Sequence, residues 1–334
     1  MQEKNYKGTP LFSVVMVTYN TERYVARALD SIIEQRHNYP YEIIIGDDYS
    51  TDGTRDILLQ YKNKYPDIII LIFNENNLGM IKNYFNVLSH CSGKYIMACA
   101  DDYWLPDRVE QQIQYMEMHP ETGMVYGKIQ HWYEKENIFV GNIGYRTTTV
   151  SELMRGNGIS AQAFCVRNDL VKKYVIEIDP VSKDWKYEDY PMWFWLAFNS
   201  NIHFQEIEQA IYRIVEGSIS NPINRKKMID LYYNIIDIRK FYANLYKIPL
   251  YIDDLNNEIF NIVLTYLRTK KNLVYDDYIF FIKYCNLAKK TSHYVFKEMA
   301  NKSCIMFRLT FFFLSIYDRY VKSIKLYCLK PKDI

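Results

Sequence analysis

The chain of 334 residues has few cysteines, and none of them stands at a spacing typical of a metal site or a disulfide framework. The six cysteines are scattered, with no Cys-x-x-Cys pair. This pattern disfavours a zinc site or a disulfide-stabilised secreted domain and predicts buried, reduced thiols in a cytosolic protein. No apolar run reaches the roughly 20 residues of a membrane-spanning helix, and the polar first residues predict no signal peptide.

The motifs of several common enzyme classes are also missing. The chain has no Gly-x-x-x-x-Gly-Lys-Ser/Thr phosphate loop and no Gly-x-Ser-x-Gly nucleophile elbow. A Gly-x-Gly-x-x-Ala pattern at residues 156–161 follows a helix-like stretch rather than a strand, which predicts a turn and not a dinucleotide-binding loop. The six histidines show no i, i+4 pairing that would indicate a metal site on a helix.

Charge is nearly balanced over the chain, with a net charge of +2, but the two halves differ. Residues 1–221 carry 21 Lys and Arg against 29 Asp and Glu, whereas residues 222–334 carry 20 against 10. Such asymmetry indicates two regions with different partners. The basic region interleaves cations with tyrosines but has no nucleic-acid motif, so we expect no nucleic-acid partner and a solvated or membrane-facing surface instead.

Up to about residue 220, strand-like and helix-like segments alternate. Residues 12–18 form a continuous apolar run, as in a strand buried on both faces. Residues 22–35 repeat their apolar side chains at helical spacing. Further strands are predicted at 42–47, 68–73, 94–100, 161–166 and 203–215, and further helices at 54–65, 80–90, after Pro106 and at 189–198. Repeated β-α-β units predict an α/β fold, with a mostly parallel sheet and helices on both faces.

From residue 221 onward the sequence predicts only helices. They lie at residues 226–246, 255–269, 278–290 and 294–329. No Gly/Ser-rich linker separates them from the alternating region. We therefore expect two domains, an α/β domain at residues 1–220 and a C-terminal all-helical region at residues 221–334.

The last predicted helix has a basic face and an apolar face. Arg308, Arg319 and Lys322 fall on one side, and Phe311 and its neighbours cover much of the rest. This arrangement fits a helix lying on an anionic membrane surface, and it fits a packed bundle helix equally well.

Aromatic and acidic side chains follow the predicted strands directly. Tyr19 follows the first strand, Asp47 and Asp48 end the second, and Asp101 and Asp102 follow the fourth. Ligands of open α/β sheets bind outside the carboxyl ends of the strands. A tyrosine can stack on a flat base, and an acidic pair can hold Mg²⁺ or Mn²⁺ together with substrate phosphates. A turn and helix N-cap would explain one acidic segment, but two such segments predict a site for a nucleoside diphosphate with its metal.

Five segments, in this order, resemble the motifs of family 2 glycosyltransferases of the GT-A fold. They are Ser-Val-Val-Met-Val-Thr-Tyr-Asn (13–20), Ile-Gly-Asp-Asp-Tyr-Ser-Thr-Asp-Gly-Thr (45–54), Asn-Leu-Gly with the following Lys-Asn (77–83), Ala-Asp-Asp-Tyr-Trp-Leu-Pro-Asp-Arg (100–108) and Glu-Asp with the helix after it (188–195). The resemblance implies a Rossmann-like GT-A domain that moves one sugar from a nucleoside-diphosphate sugar, such as a UDP-sugar, to an acceptor hydroxyl with inversion.

The same resemblance implies a role for individual residues. Asp189 would be the catalytic base, and Asp102 would bind the divalent metal, manganese or magnesium. The donor-binding residues would be Thr18, Tyr19, Asp48, Lys82 and Asp101. On the acceptor side would lie Glu188, Trp104 and Trp193, with core packing an equal alternative for the two tryptophans.

Two departures from the family pattern refine the expected function. The family's Tyr-Arg-x-His, whose histidine is a further metal ligand, is Tyr-Arg-Ile-Val here, so Val215 takes the place of the histidine. The Gln-x-x-Arg-Trp of polymerising members is absent, which favours a single transfer. We expect a cytoplasmic enzyme, peripheral on the inner face of the membrane if the last helix binds lipid, that acts on a glycan or lipid-linked acceptor in polysaccharide or glycolipid biosynthesis.

Two alternatives remain open. A sugar-phosphate nucleotidyltransferase shares the α/β layout but should carry a Gly-rich, Lys-containing loop after the first strand, and residues 19–22 are not such a loop. A catalytically inactive nucleotide- or glycan-binding module would explain the missing histidine.

Overall fold

The computed structural model of the chain describes residues 9–215 and 225–250, together with residues 260, 263–264, 267, 277–279, 281 and 307–308. The chain divides into two units, Met1–Ile223 and Asn224–Ile334. Each unit is described by itself.

The first unit begins with the predicted alternation of strands and helices. Its elements are β1 (Phe12–Thr18), α1 (Val25–Ile33), β2 (Tyr41–Asp47), α2 (Thr54–Lys64), β3 (Ile69–Phe73), α3 (Met80–Ser89) and β4 (Tyr95–Cys99). The strands are parallel in the order β3-β2-β1-β4, and Val14 of β1 lies between Ile43 and Met97 of its neighbours. The predicted bounds of the strands are confirmed to within one residue, because buried strands leave a continuous apolar run in the sequence.

The second part of the unit is less regular. Its elements are β5 (Tyr103–Trp104), α4 (Arg108–Met118), β6 (Thr122–Tyr133), β7 (Ile138–Ile143), α5 (Val150–Leu153), β8 (Phe164–Arg167), α6 (Asn168–Ile178), α7 (Tyr190–Asn199) and β9 (Asn201–Ile214). They extend the sheet from β4 in the order β8-β6-β9-β5, with β7 paired to β6. The sheet is therefore mixed: β8 runs antiparallel to both β4 and β6, whereas β9 runs parallel to β6.

Strand β6 was not predicted, although it holds the second part of the sheet together. Its sequence mixes Gly123, Gly127 and Lys128 with apolar residues, so it has neither an apolar run nor a clean alternation. The strand is nevertheless buried over most of its length, because β8 and β9 pair with it on both sides. Helix α6 was missed as well, and the predicted strand at 161–166 is found three residues later, as β8.

The core lies where α1 and α4 pack on the sheet. Leu29 of α1 and Ile113 of α4 are fully buried together with strand residues such as Met16, Met97 and Val125. Burying such side chains is worth about 1.5–3 kcal/mol each. This packing fixes the sheet edge at which the acidic segments emerge.

In the second unit the structure describes one long helix, α8 (Arg225–Tyr246), at the place of the predicted helix 226–246. The predicted helix 294–329 lies outside the described residues, except for the buried Phe307 and the exposed Arg308. Among the helices that the structure describes, none has the length and apolar character needed to cross a membrane.

Candidate active site

The segments after β1 and β2 are tied to each other by side chains. Asn20 receives the N–H of Thr51 on its Oδ1 at 2.8 Å and donates its own N–H to Ser50 Oγ at 2.9 Å. Asn20 and Tyr49 both have left-handed backbones, with φ of 53° and 67°. The exposed Tyr19 lies directly before Asn20, at the carboxyl edge of the sheet. Helix α1 begins at Val25, three residues after the start of the predicted helix 22–35, because residues 21–25 form a turn.

Asp47 and Asp48 are both buried, and their carboxylates have different partners. Asp47 is in an ion pair with Arg55 at 2.5 Å. Asp48 accepts the backbone N–H of Leu78 at 2.8 Å on Oδ1 and that of Gly79 at 2.9 Å on Oδ2. Asp48 therefore fixes the loop that leads into α3.

The carboxylate of Asp48 accepts three hydrogen bonds within the described part of the chain. Its Oδ1 also accepts from the Asn74 side-chain amide at 3.0 Å, so three of its roughly four lone-pair sites are occupied. Gly79 has φ of 83°, a conformation that side chains rarely adopt, so the loop turns sharply here and directs the N-terminus of α3 toward the sheet edge. Lys82 lies exposed on the first turn of α3.

The acidic pair after β4 is held by the last strand. Asp102 is almost fully buried, and its Oδ1 accepts the backbone N–H of Arg213 at 2.8 Å. The Arg213 guanidinium donates through Nη2 to the carbonyl of Asp101, and it lies 3.7 Å from the ring centre of Tyr24. Burial raises the pKa of Asp102 to about 8, and the charge of Asp101 adds to this effect.

These carboxylates fit a divalent cation. Burial and the neighbouring charge of Asp101 raise the pKa of Asp102, so a bound cation would favour the ionised form of this carboxyl. Within the described part of the chain there is no cluster of three or more His, Cys, Asp or Glu placed to hold a metal. Asp101 and Asp102 would supply one or two carboxylate ligands, and phosphates and water would complete the shell, as is usual for Mg²⁺. Val215 follows two residues after Arg213 and supplies no ligand.

A second acidic pair stands at the start of α7. Asp189 is the N-cap residue, and its Oδ1 accepts the N–H of Tyr190 at 2.6 Å. Burial raises the pKa of Glu188 to about 8, with the charge of Asp189 adding to the rise. Burial also raises the pKa of Asp189, to about 6, while the backbone N–H of Tyr190 and the side chain of Trp193 favour its ionised form. Burial thus raises the pKa of both carboxyls, and like charges oppose their joint ionisation.

The two predicted acceptor-side tryptophans are buried. Trp104 donates its indole N–H to the Ala98 carbonyl at 3.3 Å, and the guanidinium of Arg108 lies 4.1 Å from its ring centre. Trp193 packs edge-on against Phe164 at 4.9 Å between ring centres. Burial favours the core-packing alternative for both, and Trp193 in addition lies against Asp189.

Three residues near these carboxylates were not singled out from the sequence. Arg213 stands in the Tyr-Arg-Ile-Val segment, whose local pattern shows only the missing histidine. Tyr49 takes a left-handed conformation that gives no signal in sequence. Tyr84 of α3 is buried, and burial raises the pKa of its phenol, with the charges of Glu188 and Asp189 adding to the rise. An effect between residues so far apart in the chain leaves no local pattern.

Comparison with known proteins shows that the chain is similar to glycosyltransferases. The profile of the family described as "Glycosyl transferase family 2" matches residues 13–174. The chain is 35% identical over 160 residues to the uncharacterised protein Rv1520 of Mycobacterium tuberculosis, and the match covers 46% of each protein. The chain thus spans about half the length of this curated relative.

Two further matches extend over more of the chain. The Escherichia coli protein WfgD, a UDP-Glc:alpha-D-GlcNAc-diphosphoundecaprenol beta-1,3-glucosyltransferase, is 26% identical over 217 residues, which is 63% of this chain and 80% of that protein. The crystal structure of Staphylococcus aureus TarS 1–349 superposes with a TM-score of 0.54 at 17% identity and covers 83% of this chain and 81% of that one. At this identity the structural likeness concerns the fold, which is of the GT-A type.

Proposed function

Because the chain belongs to glycosyltransferase family 2, we propose that it transfers one sugar from a nucleoside-diphosphate sugar to an acceptor hydroxyl, with inversion at the anomeric carbon. The observation that carries this proposal is the pair of acidic sites, Asp101–Asp102 after β4 and Glu188–Asp189 at the start of α7. The first suits a metal-bound diphosphate, and the second offers two buried carboxyls that oppose each other's ionisation. Each half of a sugar transfer needs one of these sites.

The donor half of the site would be built by residues at the carboxyl ends of β1, β2 and β4. Tyr19 presents a half-exposed ring on which a base can stack, and Asp48 keeps a free acceptor position for a base N–H or ribose hydroxyl. Thr18, Lys82 and Asp101 complete the donor side of the proposal. A Mn²⁺ or Mg²⁺ ion held by Asp102 would stabilise the departing diphosphate as a Lewis acid.

The acceptor half would use Asp189 as general base. A base must be ionised before it can accept the hydroxyl proton, and efficient catalysis needs a pKa close to the working pH. Burial raises the pKa of Asp189 toward neutral pH, and the backbone N–H of Tyr190 favours its ionised form, which suits both conditions. Inversion requires only this one base, on the face opposite the leaving group.

The acceptor class in the proposal is a glycan or lipid-linked precursor of a surface polysaccharide or glycolipid. The diphosphoundecaprenol named for the E. coli relative supports it, as does the basic C-terminal region. A cytoplasmic location and a membrane contact through the last predicted helix belong to the same proposal.

The proposal is tested with the full chain, a panel of UDP- and GDP-sugars, Mn²⁺ and a lipid-diphosphate sugar acceptor. Release of nucleoside diphosphate that depends on acceptor and metal is the expected result. Asp189→Asn should reduce this turnover by roughly 10²–10⁴, the usual contribution of a general base, and leave nucleotide affinity unchanged. Asp67→Asn, at an exposed site, is the control. Nucleotide binding without any turnover of the wild type would instead indicate an inactive binding module.

A further inference from the structure

The segments that follow β1 and β2 run side by side at the carboxyl edge of the sheet. The N–H of Asp48 donates to the Thr18 carbonyl at 2.9 Å, and the N–H of Asn20 donates to Ser50 Oγ at 2.9 Å. Between these two bonds each segment has a single residue, and in both segments it is a tyrosine. Backbones joined in this way lie about 5 Å apart, as neighbouring strands do, so the two tyrosines are close neighbours.

These tyrosines, Tyr19 and Tyr49, are half exposed, and Tyr49 has an unfavourable backbone conformation. The exposed fractions are 50% for Tyr19 and 46% for Tyr49. Tyr49 has φ of 67°, and among the described non-glycine residues with positive φ it is the only aromatic one. A bulky side chain disfavours this left-handed conformation. Packing does not explain a ring that costs stability and stays half exposed, and strained residues of this kind are concentrated at functional sites.

Arg55 supports the ring of Tyr49. The guanidinium of Arg55 lies 5.4 Å from the ring centre, within the range of a cation–π contact. Arg55 is itself fixed, because its Nε pairs with Asp47 at 2.5 Å and its Nη2 donates to the Asn74 carbonyl at 2.9 Å. The ring therefore rests on a well-bonded part of the sheet edge. A ligand that binds to such a ring immobilises few additional torsions, which favours binding.

A nucleobase suits this pair of rings. Every base has a π face that stacks on aromatic side chains, whatever the identity of the base. In the proposed donor site, Tyr19 stacks on the base and Asp48 accepts one of its N–H groups. Tyr49 follows Asp48 directly, with about 3.8 Å between the Cα atoms, and it neighbours Tyr19. A base held by Tyr19 and Asp48 is therefore within reach of the Tyr49 ring.

We propose that Tyr49 is a second aromatic binding residue for the nucleobase of the donor, beside Tyr19. This inference rests on the proposed function, because it adds a contact to the donor half of that site. The ring supplies the stacking surface, and the left-handed backbone places it at the sheet edge. The diphosphate, the metal and the acceptor make no contact with Tyr49 in this proposal.

The test is calorimetric binding of UDP and GDP with Mn²⁺ to the full-length chain. Tyr49→Ala should weaken the affinity for the better-bound nucleotide by about 5–100-fold, the usual effect of removing an aromatic ring that stacks on a base. Tyr49→Phe keeps the ring and should bind as the wild type does. Pyrophosphate with Mn²⁺, which has no base, should bind equally to all three proteins.

Tyr49→Gly separates the role of the ring from that of the backbone. Glycine adopts positive φ without strain, so this variant should melt about 2–4 °C higher than Tyr49→Ala. It should nevertheless bind the nucleotide as weakly as Tyr49→Ala, because both variants lack the ring. If the ring only held the loop in place, affinity would follow stability, and Tyr49→Gly would bind the nucleotide better than Tyr49→Ala.

The matched control is Tyr133→Ala. Tyr133 ends β6 and is also partly exposed, and its replacement should leave nucleotide affinity unchanged. Equal nucleotide affinity of the wild type and Tyr49→Ala would overturn the proposal, and so would an equal loss of affinity for pyrophosphate. None of these measurements needs turnover. If Tyr49→Ala loses nucleotide affinity but the wild type transfers no sugar, the base contact stands and the proposed activity fails.

Discussion

Replacing Glu188 by glutamine should stabilise the protein, and more so as the pH rises. Glutamine has the shape of a protonated glutamate and cannot ionise. In the native protein, burial raises the pKa of Glu188 from its ordinary value of 4.5 to about 8, and the charge of Asp189 contributes to the rise. Between these two values the folded state binds a proton that the unfolded state has released.

The sign and size of the effect follow from this difference in bound protons. The stability contributed by protonated Glu188 is complete below pH 4.5 and is lost progressively as the pH rises through 8. Each pH unit in this window lowers the free energy of unfolding by about 1.4 kcal/mol, so the interval up to pH 7 lowers it by at most about 3 kcal/mol. Because the charge of Asp189 causes part of the rise in the pKa of Glu188, we expect Glu188→Gln to raise the free energy of unfolding by about 1–3 kcal/mol at pH 7.

The assay is thermal and urea unfolding of wild type and Glu188→Gln at pH 5, 7 and 9. A gain of 1 kcal/mol should raise the melting temperature of a unit of this size by about 2–4 °C. Glu75→Gln, on an exposed loop, is the matched control and should change little at any pH. If Glu188→Gln and wild type show the same dependence on pH, Glu188 ionises as it does in the unfolded chain, and the reasoning is refuted. Turnover should survive in Glu188→Gln because Asp189 remains available as the base.

Two further variants test the donor half of the site. Asp102→Asn should abolish the dependence of nucleotide binding on Mn²⁺ in calorimetry. The fold should survive, since an amide oxygen still accepts the Arg213 N–H. Equal nucleotide affinity of the wild type with Mn²⁺ and with EDTA would contradict the metal assignment. Asp48→Asn should lower the free energy of unfolding in urea by about 2–4 kcal/mol. The reason is that an amide presents an N–H where the carboxylate accepted the N–H of Leu78 or Gly79. Stability equal to that of the exposed control Asp67→Asn would show that the loop does not depend on this carboxylate.

The starts of two helices can be compared with their local sequence patterns. Thr149 and Glu152 form a capping box at the start of α5, so the residues before the Gly-x-Gly-x-x-Ala segment are helical. A dinucleotide-binding loop would instead follow a strand. The helix after Pro106 begins at Arg108, two residues later than proline at a first helical position would place it. Asp107 adopts a left-handed conformation there and delays the first turn.

The alternation of β1 to β4 with their helices, and the acidic residues at the strand ends, can be predicted from the sequence. Both are local properties: a strand buried on two faces must be apolar along its length, and the residues that follow it must lie at the sheet edge. The sequence also identified Glu188 and Asp189 as a pair at the start of a helix. For these features the neighbours along the chain supply the physical cause.

Other features depend on contacts between segments that are far apart in the chain. Strand β6 is a strand because β8 and β9 pair with it, in spite of its glycines and polar residues. Asp102 is buried because Arg213, 111 residues further along the chain, donates its backbone N–H to it. Burial raises the pKa of Tyr84, and the charges of Glu188 and Asp189, more than 100 residues further along the chain, add to the rise. Burial and the pKa of a carboxyl depend on every group packed around it, and those groups come from distant segments whose proximity no local pattern records.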